Sequence, residues 1–216
     1  MAPRDGSVRE GAGTLNTDAI TKAAHGAGFD AVGFAPATLP AATGRRLFQF
    51  LDLKRHATMG WMADTAVRRS APTALWPDAR SIVVLGMNYT PPANPLPALN
   101  ARSNAVISVY AQGKDYHVVV KKRAKQVARF IAETLGGEVK VFVDTAPVME
   151  KPLGELAGIG WQGKHTNLVS RDHGSWLFLA TVFTSLELKT PGTKTSSAAR
   201  AAPASSNQPP ASPSPA

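Results

Sequence analysis

The sequence predicts an α/β (α+β) fold in which a central mixed sheet is flanked by helices. Three apolar segments, at residues 81–89, 140–144 and 175–184, have the composition of buried strands. Uninterrupted apolar runs of this length are typical of strands that are covered on both faces. Between them, residues 115–135 repeat apolar side chains at three- and four-residue steps, which indicates an amphipathic helix. Strands that alternate with helices predict layers of helix and sheet around one core.

The elements before the first buried strand are short. Residues 17–27 are predicted as a helix whose N-cap is Asn16 or Thr17. Residues 31–35 (AVGFA) are predicted as a strand, and residues 41–56 as a second helix with an apolar stripe.

The elements after the first buried strand follow the same alternation. Residues 106–111 (VISVYA) are predicted as a further strand. The helix at 115–135 should end at Gly136 and Gly137, since glycine readily adopts the left-handed conformation of a helix C-terminus. Residues 147–156 are predicted as a helix before the last strand.

Composition suggests one globular domain between two poorly ordered ends. We expect a disordered leader at 1–15, a globular domain at 16–188 and a disordered tail at 189–216. The tail is rich in proline, serine and alanine, so it has too little apolar surface to offset the entropy of ordering.

Charge and residue content restrict the class of protein further. The net charge of +9 favours anionic partners such as nucleic acid, although a basic protein needs no special partner. The chain has no cysteine, which excludes disulfides, thiolate zinc sites and cysteine-ligated clusters within it. No apolar run is long enough to span a membrane and the N-terminus lacks a signal-peptide pattern, so we expect a cytoplasmic protein.

Asp144 is the first candidate for chemistry. It follows the apolar run VFV directly, and ligands commonly bind where the strands of such sheets end. A partly desolvated carboxylic acid there could have a raised pKa and act as a general acid. The structural alternative is that Asp144 caps the helix that follows it.

The glycine-rich loop at 158–167 (GIGWQGKHTN) is the second candidate. Three glycines allow a ligand to approach the backbone closely, and Gln162, Lys164 and His165 supply polar groups. This suits a large, planar, amide-bearing ligand, whereas the spacing fits no nucleotide-binding motif. An ordinary glycine-rich turn with a solvated lysine is an equal alternative.

Two further segments have both a functional and a structural interpretation. Asp115 is a candidate N-cap, and His117 resembles an ordinary surface histidine more than a metal ligand; no metal site is predicted. The basic run at 121–125 (KKRAK) could contact phosphates, although the solvated face of a helix has the same pattern.

Four segments occur in one order along the chain. They are AVGFAPA, MGWMADTAVRRSAPTALWPDARSIVVLGMNY, ISVYAQGKDYH and VKVFVDTAPVMEKPLGELAGIGWQGKHTNLVSRDHGSWLFLATVFT. This succession closely resembles the epoxyqueuosine reductases and covers about residues 17–188. The pair VDTAPVMEK and AGIGWQGKHTNL is its most specific part.

The resemblance implies a function and a set of cofactors. Members of this family reduce epoxyqueuosine to queuosine at the wobble position of certain tRNAs, as the last step of queuosine synthesis. They use cobalamin without a protein axial ligand, and two [4Fe–4S] clusters supply the electrons. Their N-terminal cobalamin domain resembles that of reductive dehalogenases, so the resemblance implies that fold here.

The resemblance also assigns residues. The aspartate of the family's VDTAP motif is its proposed proton donor, which corresponds to Asp144. The positions that match the family's cobalamin contacts are expected at Arg69, Ser108 or Tyr110, Asp144, Gln162, Lys164, His165, Leu168 and Ser175.

The chain departs from the family in having no cysteine for the clusters. We therefore expect a truncated, monomeric form that keeps the cobalamin pocket and the proton donor, with tRNA and a separate electron donor as partners. The alternatives are a non-enzymatic basic module that binds tRNA, and an inactive remnant.

Overall fold

A four-stranded antiparallel sheet lies at the centre of the protein, in the order β1-β2-β6-β3. The computed structural model describes the backbone of residues 7–191 and the side chains of residues 16–191. The strands of this sheet are β1 (Ala31–Pro36), β2 (Ser81–Asn88), β3 (Val139–Phe142) and β6 (Leu177–Thr184), and a separate two-stranded ribbon contains β4 (Trp161–Gln162) and β5 (Leu168–Val169).

Helices cover both faces of the sheet. In chain order they are α1 (Ser7–Gly26), α2 (Ala41–Asp52), α3 (Gly60–Asp64), α4 (Ala66–Ser70), α5 (Pro72–Leu75), α6 (Tyr116–Leu135) and α7 (Glu150–Leu156). Two 3₁₀ turns, Leu96–Asn100 and Val109–Ala111, lie between β2 and α6. Of these described helices, none is long and apolar enough to cross a membrane.

Each face of the sheet has its own apolar layer, because successive side chains of a strand point to opposite faces. On one face Val83 and Val182 pack with Ile20 of α1 and Ile131 of α6. On the other face a second cluster includes Ile82, Phe183, Trp76, Leu153 and Leu168. Strand β2 is thus covered on both sides, which confirms the interpretation of its uninterrupted apolar run.

Helix α6 has the start, stripe and end that the sequence predicts. The Asp115 carboxylate accepts a hydrogen bond from the amide of His117 at 2.9 Å, so Asp115 is the N-cap. Val120, Val127 and Ile131 are fully buried along one stripe. Gly136 ends the helix with a φ of 71°, which favours glycine.

Helix α7 is held against the sheet by a close backbone contact at Gly33. A Cβ atom at this position would lie 2.4 Å from the carbonyl oxygen of Ala157, directly after the helix. Only glycine therefore allows α7 to pack so closely on β1. This contact fixes the helix that begins at Glu150, six residues after Asp144.

The predicted fold class is confirmed, but the sheet is antiparallel rather than mixed in the described residues. Strands β2 and β3, which the segment containing α6 connects, do run parallel to each other. However, β6 lies between them and is antiparallel to both. Each pair of neighbouring strands is therefore antiparallel, although the crossover connection suggested otherwise.

The predicted strand at 106–111 was wrong. This segment contains the 3₁₀ turn Val109–Ala111, and Val106 and Ile107 are 45% and 65% exposed. The β-branched residues favoured a strand locally, but β6 occupies the edges of β2 and β3 that face each other. The segment instead forms part of the wall of a surface cavity.

Several element boundaries also differ from the predictions. The first helix begins at Ser7, so residues 7–15 are helical where a disordered leader was predicted. The second helix ends at Asp52 rather than at 56. Residues 1–6 of the predicted leader and residues 192–216 of the predicted tail lie outside the described residues.

Candidate active site

Four elements meet at one end of the sheet. Strands β2 and β3 end there, β6 begins there, and α6 starts beside them. The register places Met87 opposite Phe178 and Phe142 opposite Thr181. Side chains that are distant in the sequence therefore converge at this end, which contains Asp144.

Asp144 lies at the centre of a tight turn after β3. Its φ is 50°, a left-handed conformation that is uncommon for residues other than glycine. The amide of Thr145 donates to the carbonyl of Val143 at 2.5 Å, which closes the turn around Asp144. Helix α7 begins later, at Glu150, with Met149 as its N-cap. Asp144 is therefore not a helix cap, and the structural alternative considered for it was wrong.

The Asp144 carboxylate is surrounded by the first residues of α6. The hydroxyl of Tyr116 donates a hydrogen bond to Oδ2 of Asp144. One ring nitrogen of His117, Nε2, lies 3.5 Å from the same oxygen, and Nδ1 lies 2.8 Å from Oδ1 of Asp115. The imidazole thus bridges two carboxylates, one of which is the N-cap of the helix.

Two pKa values are shifted within this group. Burial, then the hydrogen bond to the Asp144 carboxylate and its negative charge, raise the pKa of Tyr116 above its ordinary value. Hydrogen bonds from the side chain and amide of His117 lower the pKa of Asp115. Tyr116 is therefore a phenol that remains protonated, and Asp115 a carboxylate that remains charged.

A row of four aromatic rings extends from Asp144 along the end of the sheet. We call Tyr116, Phe178, Tyr89 and Trp176 the aromatic row. The ring of Phe178 stacks on Tyr116 at 4.1 Å and on Tyr89 at 4.3 Å, and Trp176 meets Tyr89 edge-on at 5.5 Å. Such contacts favour a fixed arrangement of flat apolar surfaces.

An open cavity of about 400 Å³ borders the aromatic row. Tyr89, Tyr116 and Phe178 line it, and Tyr110 and Lys114 form another part of its lining. A cavity with apolar walls and a few polar groups is the usual form of a small-molecule or cofactor site.

The glycine-rich loop lies at the far end of the aromatic row. The hydroxyl of Tyr89 donates to the carbonyl of Ser175 at 3.4 Å, and Oγ of Ser175 lies 3.4 Å from Nε2 of His165. The ammonium of Lys151, at the start of α7, donates to Oδ1 of Asn167 at 3.1 Å. These three contacts connect the loop to the sheet end and to α7.

Close packing of backbone determines the path of this loop. A Cβ atom at Gly160 would lie 2.1 Å from the carbonyl oxygen of Val169. A Cβ atom at Gly163 would lie 2.6 Å from the ring of His165. Backbone packing thus requires a glycine at 160, whereas the neighbour at 163 is an exposed side chain that could move. Neither glycine provides a direct indication of a ligand.

A buried carboxyl group, Glu150, and a partly buried arginine, Arg69, lie on the other side of the Asp144 turn. Glu150 is 9% exposed, and its Oε1 accepts a hydrogen bond from the amide of Asp144 at 3.3 Å. Burial, followed by repulsion from the Asp144 carboxylate, raises the pKa of Glu150 well above its ordinary value, while Arg69 opposes this. Nε of Arg69 is buried and has no hydrogen-bond partner among the described residues.

Four of the predicted site residues are brought together at this sheet end. Asp144 lies at one end of the aromatic row, and Tyr110 lines the cavity beside that row. Ser175 and His165 lie in contact at the other end. The roles assigned to them remain predictions.

The other predicted residues lie apart from the cavity lining. Ser108 is exposed before the 3₁₀ turn, and Lys164 is exposed without a side-chain partner in the part of the chain that the structure describes. The amide of Gln162 donates to Glu155 at 2.9 Å. Leu168 is buried in the core, so only its backbone could reach a ligand. Arg69 lies 5.3 Å from the ring centre of Trp61.

Sequence reasoning missed Tyr116, Glu150 and the aromatic row, and it interpreted His117 as an ordinary surface residue. One signal was available for Tyr116 and His117, since they directly follow the N-cap of the longest predicted helix. No local pattern connects Tyr89 with Phe178, because their contact depends on strand register. Among the described residues, no cluster of His, Asp and Glu could hold a metal ion.

Comparisons of this chain with a family model and with individual proteins agree on one family. Residues 69–145 match the family model described as "Epoxyqueuosine reductase QueG, DUF1730". These residues belong to the epoxyqueuosine reductase family. The chain is 40% identical over 146 residues to an epoxyqueuosine reductase from Francisella cf. novicida (strain Fx1), a match that covers 65% of this chain and 40% of that protein. It is 38% identical over 176 residues to an epoxyqueuosine reductase from Cyclobacterium marinum, with 80% and 55% covered.

A solved structure confirms the fold. The crystal structure of an epoxyqueuosine reductase with an epoxyqueuosine-modified tRNA-Tyr stem loop matches with a TM-score of 0.69 at 23% identity. The match covers 82% of this chain and 47% of that chain. The chain thus spans about half the length of the epoxyqueuosine reductases that it matches.

Proposed function

We propose that this chain supplies the cobalamin pocket and the proton donor for reduction of epoxyqueuosine in tRNA. The reaction consumes two electrons and two protons, breaks the epoxide, restores the carbon–carbon double bond and releases the oxygen as water. The chain has no cysteine, so the proposal places the electron-supplying clusters on another polypeptide or on sequence beyond these residues.

The aromatic row is the observation that carries this proposal. It joins the predicted proton donor, Asp144, to the predicted ligand contacts His165 and Ser175 beside one cavity. A large planar cofactor needs both a flat apolar surface and polar groups at its edge. This arrangement offers the two together, with a carboxyl group at one end.

The residues present fit cobalamin in their chemistry. Stacked rings can support a macrocycle, and His165, Ser175 and Gln112 can bond to amide groups at its periphery. The buried, unpartnered Nε of Arg69 is a further donor close to the Asp144 turn. When bound, cobalamin would supply the reducing centre, whereas the protein would bind, orient and protonate.

Asp144 is proposed to deliver a proton from its carboxyl group to the oxygen of the substrate. Tyr116 and His117 hold this carboxyl in position and offer two routes by which a proton could return to Oδ2. The side chain is 43% exposed, so a substrate could reach the carboxyl group.

The tRNA partner is proposed from the relatives and from the surface charge. A matching structure contains a tRNA stem loop, and this chain carries a net charge of +9. Exposed lysines on α6, including Lys121, Lys122 and Lys125, are suited to contacts with phosphates. Such contacts would hold the stem loop without reading its sequence.

Binding of cobalamin by the purified chain tests the proposal directly. We expect addition of cob(II)alamin to change its visible and EPR spectra at micromolar protein. Asp144→Asn should bind equally well, because it keeps the shape of the side chain. Absence of any spectral change, combined with salt-dependent binding of tRNA, would instead favour the non-enzymatic tRNA-binding module.

Turnover tests the proton donor separately. A strong chemical reductant replaces the electron donor, with an epoxyqueuosine-modified stem loop as substrate. We expect slow formation of queuosine by the cobalamin-loaded wild type and at least a hundredfold loss in Asp144→Asn. Glu133→Gln, at an exposed ion pair far along α6, is the matched control. Equal rates for wild type and Asp144→Asn would remove Asp144 from this role.

A further inference from the structure

The turn that contains Asp144 places a strained residue next to a buried carboxyl group. Asp144 adopts a φ of 50°, and its own amide points toward Oε1 of Glu150. A left-handed conformation in a residue other than glycine persists where the surroundings stabilise it. The hydrogen bond from the Asp144 amide to Glu150 connects the backbone of the turn to a residue outside it.

We propose that Glu150 is a positioning residue that holds the Asp144 turn and thereby directs the Asp144 carboxyl toward Tyr116 and His117. The inference rests on the proposed role of Asp144 as a proton donor. Glu150 does not reach the cavity itself, since it does not line it and is nearly buried. It acts through Asp144, by the hydrogen bond from the Asp144 amide and by its contact with the Asp144 side chain.

The location of Glu150 explains how it can hold this turn rigidly. It is the first residue of α7, a helix that Gly33 locks against β1 through the contact with Ala157. The hydrogen bond at 3.3 Å therefore ties the end of β3 to a fixed element on the second face of the sheet. Without it, this part-buried amide of the turn would have to find another partner.

The surroundings of Glu150 make it sensitive to pH. Three groups from separate elements face it: Asp144 from the turn, Arg69 from α4 and Tyr116 from α6. Burial and the Asp144 charge raise the Glu150 pKa, and Arg69 opposes this. Because an ionised carboxylate is a stronger acceptor than a protonated one, loss of the Glu150 proton should strengthen its bond to the Asp144 amide.

NMR of the whole chain tests this inference without cobalamin or turnover. We expect the amide proton of Asp144 to shift downfield as Glu150 loses its proton, with the same midpoint as the ¹³C signal of the Glu150 carboxyl. In Glu150→Gln this step should disappear, because the amide side chain has no proton to lose in this range. An unchanged amide titration in Glu150→Gln would overturn the inference.

A second variant measures how firmly the turn is held. Glu150→Gln keeps an oxygen acceptor, whereas Glu150→Leu removes it at similar volume. We expect amide hydrogen exchange at Asp144 to be at least tenfold faster in Glu150→Leu than in Glu150→Gln, with Glu133→Leu as control for a lost surface carboxylate. Equal exchange rates would overturn the inference, and the wild-type titration decides the matter should Glu150→Leu fail to fold.

The outcomes also separate this inference from the proposed function. The NMR measurements concern only the turn, so they can succeed where cobalamin does not bind. Conversely, cobalamin could bind while the Asp144 amide signal does not respond to the titration of Glu150. That result would retain the proposed function and reject the positioning role.

Discussion

The two ends of the aromatic row are built differently. At the Asp144 end, the carboxyl is surrounded by Tyr116, His117 and, through its amide, Glu150. At the loop end, His165 and Ser175 meet at 3.4 Å, a long contact between exposed groups. The first end is assembled from the termini of a strand and two helices, whereas the second depends on a loop.

This difference indicates that the Asp144 end is suited to proton donation and the loop end to cofactor binding. A proton donor must be held at a defined position relative to its substrate, which favours side chains on regular elements. Contacts to the edge of a large cofactor can tighten when the cofactor binds. We therefore expect changes at the Asp144 end to alter chemistry and pH dependence, and changes in the loop to alter binding.

Adding a methyl group to the loop backbone should have the largest effect on stability. In Gly160→Ala the new Cβ would lie 2.1 Å from the carbonyl oxygen of Val169, so the β4–β5 ribbon must move. We expect a loss of about 3 kcal/mol in unfolding free energy, measured by urea denaturation. Gly60→Ala adds the same group with no atom within 4 Å and should show no such loss. Equal effects of the two changes would contradict the packing observed at Gly160.

Replacing the buried carboxyl at the Asp144 end should change how stability depends on pH. The folded state holds the Glu150 proton more tightly than the unfolded state does. The unfolding free energy of the wild type should therefore fall as pH rises from the ordinary value of 4.5 toward the raised pKa. Glu150→Gln cannot lose this proton, so its stability relative to wild type should increase over the same range. The slope for one proton is at most about 1.4 kcal/mol per pH unit.

Denaturation of both proteins at several pH values checks this prediction. Arg69 remains in both, so the difference between them reports chiefly on Glu150. A difference that stays constant between about pH 5 and pH 8 would show that Glu150 is not held protonated by its surroundings.

Removing the N-cap of α6 should have a smaller effect, at the same end of the site. Asp115→Ala loses the acceptor for the amide of His117, which should cost about 1 kcal/mol of stability. Asp115→Asn retains an oxygen acceptor and should lose less. Thermal or urea unfolding of the two variants makes this comparison, and an Asn variant as unstable as the Ala variant would indicate that the charge matters more than the hydrogen bond.

The exposed lysine of the loop should show the smallest effect on stability. Lys164 has no side-chain partner among the described residues, so Lys164→Ala should change the unfolding free energy by less than about 0.5 kcal/mol. If the loop contacts cobalamin, the same variant should nevertheless bind it less tightly in a spectroscopic titration. Unchanged binding would remove Lys164 from the proposed contacts.

Local patterns were sufficient to predict most of the fold. The apolar runs of β2 and β6 and the stripe of α6 predicted buried strands and a helix, because burial on two faces or on one leaves a distinct periodicity. The order of strands in the sheet produces no comparable local pattern in the sequence. The position of β6 between β2 and β3, which makes the sheet antiparallel, follows from long-range packing.

The site was predicted only in part, for a similar reason. Asp144 was found because it directly follows the apolar run VFV, although β3 proved to be a partly exposed edge strand. The loop was found because its glycines are conspicuous. Glu150 lies six residues from Asp144, yet its contact depends on the turn between them and on the packing of α7. Tyr89 and Phe178 are nearly ninety residues apart in the sequence and meet only through the register of β2 and β6.

The central place of β6 has a consequence for how the chain acquires its structure. Strand β3 pairs with β6 alone among the described strands, and β2 has β6 as one of its two neighbours. Strands β2 and β3 therefore cannot complete their pairing before β6 is available, and β6 begins almost a hundred residues after the start of β2. Contacts so distant in sequence slow folding, since a long loop must close before they form. During synthesis the sheet is incomplete until residues 177–184 insert between β2 and β3. Before that step, the unpaired apolar edges of these strands are accessible to chaperones or to other chains.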